Sequence, residues 1–157
     1  MQVRTVADIV SRLIKGIEFF TPLFDLAIRL YVAKAFFWSG LTKIQSWDST
    51  LSLFANEYAV PLLPPELAAY LGTAAELILP PLLALGLGGR LIALAAFIFN
   101  LVAATSYPDI SEAGIKDHML WGALLAATFF HGPGRLSLDH LIGRYFRRVH
   151  GRRIGDR

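Results

Sequence analysis

Cysteine is missing altogether, and charge is scarce: Asp, Glu, Lys and Arg make up only 17% of the 157 residues. The first absence excludes disulfides, thiolate catalysis and cysteine-held zinc or iron–sulfur centres. The second lies well below the roughly 25% of an ordinary soluble chain. No Gly-rich phosphate loop, internal repeat or low-complexity tract is present. The histidines offer no metal motif, because His118 and His131 would stand about 20 Å apart on one helix and cannot converge on a haem, while His140 and His150 fall in a basic tail. What the chain has in quantity is apolar side chain, 55% of its residues, with a mean hydropathy of +0.51. That composition points to a membrane.

Four apolar segments, residues 21–44, 66–88, 90–108 and 117–132, are candidate transmembrane helices. The first three approach or exceed the ~20 residues that cross ~30 Å of hydrocarbon. The fourth is short, since residues 118–131 rise only about 21 Å as a helix. Arg4, Arg12 and Lys15 precede the first segment, Arg90 separates the second from the third, and seven arginines from Arg135 onward follow the fourth. The other two connections hold only Lys116, so the positive-inside rule puts both termini and the Arg90 turn in the cytoplasm.

The flanks read as surface helices. In residues 1–20, Val3, Val6, Val10, Leu13, Ile14 and Ile17 repeat at helical spacing opposite Arg4, Asp8, Arg12 and Lys15, the pattern of an interfacial amphipathic helix. No continuous apolar core with an A-x-A site marks a cleaved signal peptide. Thr21-Pro22 has the form of an N-cap and first-turn proline opening the first span. After GPG at 132–134, Ser137 can cap a second amphipathic helix within residues 136–157, whose arginines suit anionic lipid better than nucleic acid. Between the first two spans, Leu51, Phe54, Ala55 and Tyr58 suggest a short outer helix. The expected fold is thus an all-α membrane protein: a four-transmembrane-helix bundle over 21–135 with amphipathic surface helices at both ends.

The polar residues inside the spans carry the functional argument, because a central charge costs ~2.5–3.5 kcal/mol on the insertion scale. Glu76 stands in AAELILPPLL (74–83), four residues before a proline pair that cannot bond to the carbonyls of Glu76 and Leu77. A carboxyl at that depth either stays protonated or meets a cation. Counting residues from the outer ends matches Glu76 with Lys34, and Arg29 comes second. Asp25 and Arg29, four apart, can pair along one face, which continues through Phe36, Gly40 and Lys43. Lys43, near the end of its span, suits a snorkelling role. Glu76, Arg29, Lys34 and Asn100 form the candidate polar pocket. At the outer end of the fourth span, Asp117, His118 and Trp121 form a candidate quinone or proton site.

RLYVAKAFFWSGLTKI (29–44), the glutamate of AAELILP (74–80), GLGGR (86–90) and GPGRLSLD (132–139) occur in an order that resembles the DoxX family of small bacterial and archaeal four-helix membrane proteins. The resemblance carries over to Arg29, Gly40, Lys43, Glu76, Arg90, Gly132, Pro133, Gly134, Arg135, Ser137 and Asp139. It departs at Ser39, where many relatives have histidine, and at Leu79-Pro80-Pro81, where many have glycines. It implies an inner-membrane, multi-pass subunit of a redox system that uses a bound quinone, has no covalent cofactor, and works with a partner protein of a redox or peptide-modifying system. Two other readings stand beside it: a non-enzymatic anchor for a partner enzyme, and a small proton- or cation-coupled carrier. Small residues at Gly72, Ala75, Ala93, Ala96 and Ala103 permit close packing within one bundle or between copies.

Overall fold

A computed structural model describes the backbone of residues 2–154 and the side chains of residues 10–149. Among the described residues the fold is all-α: α1 Gln2–Gln45, α2 Trp47–Asn56, α3 Pro65–Leu85, α4 Gly89–Thr105, α5 Glu112–His131 and α6 Leu138–Ile154. Packing is closest between α1 and α3 and between α4 and α5, and α2 lies across the start of α3. The core joins the two pairs through Val32, Phe36, Leu83, Ala93, Ala96 and Leu125. Ala93 and Ala96 have little side chain to keep α4 away from its neighbours, so the helices close tightly around Phe36.

The expected break at Thr21-Pro22 does not occur. α1 is one helix of 44 residues with Pro22 inside it. Thr21 does not act as an N-cap; its hydroxyl donates back to the Ile17 carbonyl at 3.4 Å, within the preceding turn. Proline removes a single bond from the ladder, and uninterrupted helix on either side carries the chain through. The first half of that helix stands clear of the bundle, with residues 10–20 all exposed. The amphipathic reading of residues 3–9 lies outside the described side chains.

Other boundaries follow local chemistry. Pro65 occupies the first turn of α3, where its missing N–H costs nothing. Pro80 and Pro81 lie inside α3, which runs on to Leu85. α5 begins at Glu112, earlier than its hydropathy suggests, because Ser111 caps it by accepting from the Gly114 amide at 3.1 Å. Its 20 residues make it about 30 Å long. Ser137 caps α6 through the His140 amide at 3.2 Å. The expected outer helix is α2, whose Phe54 is buried with Ala68 and Ala69 and stacks on Tyr58 at 4.7 Å. Among the described residues one helix, Pro65–Leu85, is by itself long and apolar enough to cross a membrane; α4 is apolar but has only 17 residues.

Candidate functional site

The polar residues separate into three units, one around Arg29 at the end of α3, one around Glu76 in its middle, and one between α4 and α5. At the first, Arg29 is almost fully buried, with 1% of its surface exposed. Its guanidinium donates to the carbonyls of Leu83 at 3.2 Å and Ala84 at 2.7 Å, and to that of Leu136 in the loop before α6. A cation at the carbonyl end of α3 also meets the negative pole of the helix. Gly86 there has φ +64°, and a Cβ on it would fall 2.5 Å from Ser137 Cβ and 2.6 Å from the Arg29 guanidinium. Asp139 accepts from the Gly88 amide at 3.0 Å, Arg90 donates to the Phe130 carbonyl at 3.2 Å, and Pro133 packs on Gly89. The glycine turn between α3 and α4 and the GPGRLSLD loop are therefore one interlocked knot around Arg29. Arg135, within that loop, is exposed.

The second cluster holds Glu76, and its partner is Lys43. The Lys43 ammonium donates to both carboxylate oxygens, at 2.8 and 2.7 Å, and to Ser39 Oγ at 2.9 Å; Ser39 Oγ in turn donates to Glu76 Oε1 at 3.1 Å. The expected pairings with Lys34 and Arg29 are not formed. Lys34 is exposed on another face of α1, and Arg29 is committed to the knot. Residue counting erred because α3 and α1 do not start level. Gly40 lies directly against Glu76, where a Cβ would come 2.9 Å from Glu76 Cβ. Gly40 is five residues from the end of α1, but Glu76 is eleven from the start of α3, a stagger of about 9 Å at 1.5 Å per residue. Nor do Asp25 and Arg29 make an ion pair; among the described residues Lys43–Glu76 is the one within 4.0 Å. Asp25 instead lies against Gly134. No side chain among the described residues donates to the Glu76 or Leu77 carbonyls that the prolines release.

Asn100 and His118 form a third unit. The Asn100 amide donates to the His118 carbonyl at 3.0 Å, and its oxygen lies 2.8 Å from His118 Nδ1. Trp121 sits edge-on to both His118 and Phe36, with ring centroids 5.0 and 5.2 Å away. Asp117 is exposed and makes no hydrogen bond to this group among the described residues.

A cavity of about 160 Å³ brings the second and third units together, lined by Ser39, Lys43, Tyr58, Glu76, His118 and Trp121 among others. A more apolar chamber of about 280 Å³ lies beneath α2, walled by Phe54, Leu63, Leu71, Phe99 and Val102, and shares Lys43, Tyr58, Glu76 and Ala103 with it. Tyr58, in the link after α2, has its pKa raised by burial first and by the Glu76 charge second, so its phenol stays protonated. Sequence reasoning thus placed Glu76, His118 and Trp121 near one cavity. It put Asn100 in the polar pocket with Glu76, left Lys43 among the structural positions, placed the Ser39 departure at that pocket, and missed Tyr58 as a lining group. The spacing of Ser39 and Lys43, one turn apart beside Gly40, was the available signal.

A helix bundle with a buried ion pair beside an amphipathic cavity defines the class of molecule. The DoxX profile matches residues 24–108, and the chain belongs to the DoxX family. That membership supports a membrane protein. A relative from Haemophilus influenzae, described as uncharacterized, is 31% identical over 130 residues, which cover 77% of this chain and 84% of that protein. No solved structure matches the chain.

Proposed function

We propose that the chain is a four-span subunit of a quinone-linked redox system in the bacterial inner membrane, with both termini in the cytoplasm and a partner protein that moves the electrons. The observation that carries this reading is the joined pair of cavities, one lined by Lys43, Glu76, Ser39, Tyr58 and His118 and the other apolar. A quinone has the same division, a ring with polar oxygens and an apolar tail, and ligand sites are commonly apolar with a few convergent polar groups. Four spans are supported by the outer surface. Large side chains such as Tyr31, Trp38, Ile78, Leu91, Leu101 and Met119 are exposed on α1, α3, α4 and α5, a continuous apolar coat that soluble monomers rarely carry. With no cysteine pair or haem-binding histidines in the sequence, electrons need a bound ligand and a partner.

The test is quinone binding to the purified full chain in lipid nanodiscs, followed by Trp fluorescence quenching. Saturable quenching by ubiquinone-1 is expected, and Glu76→Gln should weaken it at least tenfold by disordering Lys43 and Ser39. Under the anchor reading, Lys43–Glu76 only fixes helix packing; ubiquinone-1 would then not bind, and a partner would copurify equally with either protein.

A further inference from the structure

The hydrogen-bonding capacity left over in the cavity includes two acceptors that only a donating ligand can satisfy, and this deepens the quinone reading on which it rests. Lys43 has three N–H donors, and all three are spent, one on Ser39 and two on Glu76. Ser39 spends its hydroxyl proton on Glu76 Oε1. Glu76 Oε2 accepts from Lys43 alone and keeps a lone pair. At the other side of the cavity, Asn100 settles the state of His118. Because the amide N–H₂ is committed to the His118 carbonyl, the amide oxygen faces Nδ1, and Nδ1 must carry the proton. In the neutral imidazole Nε2 is then the unprotonated nitrogen, with no partner among the described residues. Tyr58 can donate or accept, and the Trp121 indole N–H is buried without a partner among the described residues.

We infer that Asn100 fixes His118 as a hydrogen-bond acceptor, so that the cavity selects the reduced, dihydroxy form of a quinone over the oxidised one. A hydroquinone hydroxyl donates to His118 Nε2, and its second hydroxyl donates to the free lone pair of Glu76. A quinone carbonyl can do neither and would leave both acceptors without partners in a low-dielectric site, where an unmet polar group is costly. Asn100 is a positioning residue in this scheme, acting on the ligand through the tautomer of His118.

The experiment compares ubiquinone-1 with its reduced form, kept under argon, by equilibrium dialysis against the full chain in nanodiscs. The wild type should bind the reduced form about three- to tenfold more tightly, the worth of about one net hydrogen bond. Asn100→Leu, which lets His118 adopt either tautomer, should lose that ratio, and Asn100→Asp, which still accepts from Nδ1–H, should keep it. Equal or tighter binding of the oxidised form to the wild type overturns the selectivity while leaving quinone binding intact. Loss of the ratio in Asn100→Asp as well as Asn100→Leu overturns the role of Asn100. If neither form binds, the quinone reading falls too.

Discussion

Lys43 and Glu76 are individually expensive and jointly affordable. Their side chains are 12% and 8% exposed, so neither charge can turn to solvent if the other is removed. Truncating one member of a buried pair typically costs about 3–5 kcal/mol, because the survivor is left without a counter-charge, whereas replacing both by apolar groups can be nearly neutral. Lys43→Met and Glu76→Leu should therefore each lower the melting temperature sharply in detergent, and the double variant should be more stable than either. Additive losses in that cycle would mean that the two side chains do not act as a unit. Gly40 explains why the pair exists at this level: with no Cβ, α1 can approach Glu76 closely, which brings Lys43, one turn further on, over the carboxylate. The sequence displayed all of these residues, and that Glu76 needs a cation follows from its setting. Which cation it meets depends on the stagger between helices, which the intervening α2 sets and no residue count within one helix reveals.

Between elements, Arg29 connects three pieces that are distant in sequence: α1, the end of α3 and the loop before α6. Lysine cannot replace it, since a single ammonium lacks the planar fork that reaches the α3 carbonyls from one side and Leu136 from the other. Arg29→Lys should cost about 1.5–3 kcal/mol, the range for lost hydrogen bonds to a charged group. Its signature should be local, with faster hydrogen exchange and earlier proteolysis at residues 132–138 before the bundle itself melts. Uniform loss of protection across α3 and α4 would mean that Arg29 supports the whole core and not this junction. The glycine and GPG motifs were legible as turn chemistry, because glycine at positive φ and proline after a helix have strong local causes. Their meeting was not legible, since nothing in either segment names the other. The break expected at Pro22 failed for a related reason: proline is compatible with both a first turn and an interior position, and the residues on both sides of it continue as helix.

At the scale of the molecule, one helix among the described residues is long and apolar enough to cross a membrane by length and composition alone, and the other candidates fall short for identifiable reasons. α1 carries Asp25, Arg29, Lys34 and Lys43, and α4 ends after 17 residues. Hydropathy counts every such charge as a full penalty, but the two terminal guanidinium nitrogens of Arg29 donate to carbonyls, and the Lys43 ammonium donates to a carboxylate, inside the bundle. Charges satisfied in this way tax insertion far less than lipid-facing ones. Under the proposed four-span arrangement, the apolar side chains exposed on α1, α3, α4 and α5 would have acyl chains as their solvent. The absence of cysteine makes the topology directly testable, because each introduced thiol is unique. If both termini are cytoplasmic, as proposed, a membrane-impermeant maleimide applied to spheroplasts should label Leu62→Cys and Asp109→Cys, in the α2–α3 and α4–α5 links. Arg90→Cys and Arg148→Cys should be labelled only after lysis. Leu62 is fully exposed on the protein, so protection there in intact spheroplasts cannot be put down to burial within the fold, and protection that lysis relieves would reverse the orientation. Labelling of Leu62→Cys without Asp109→Cys would leave α3 as a span and remove α4 and α5 from the membrane-crossing set.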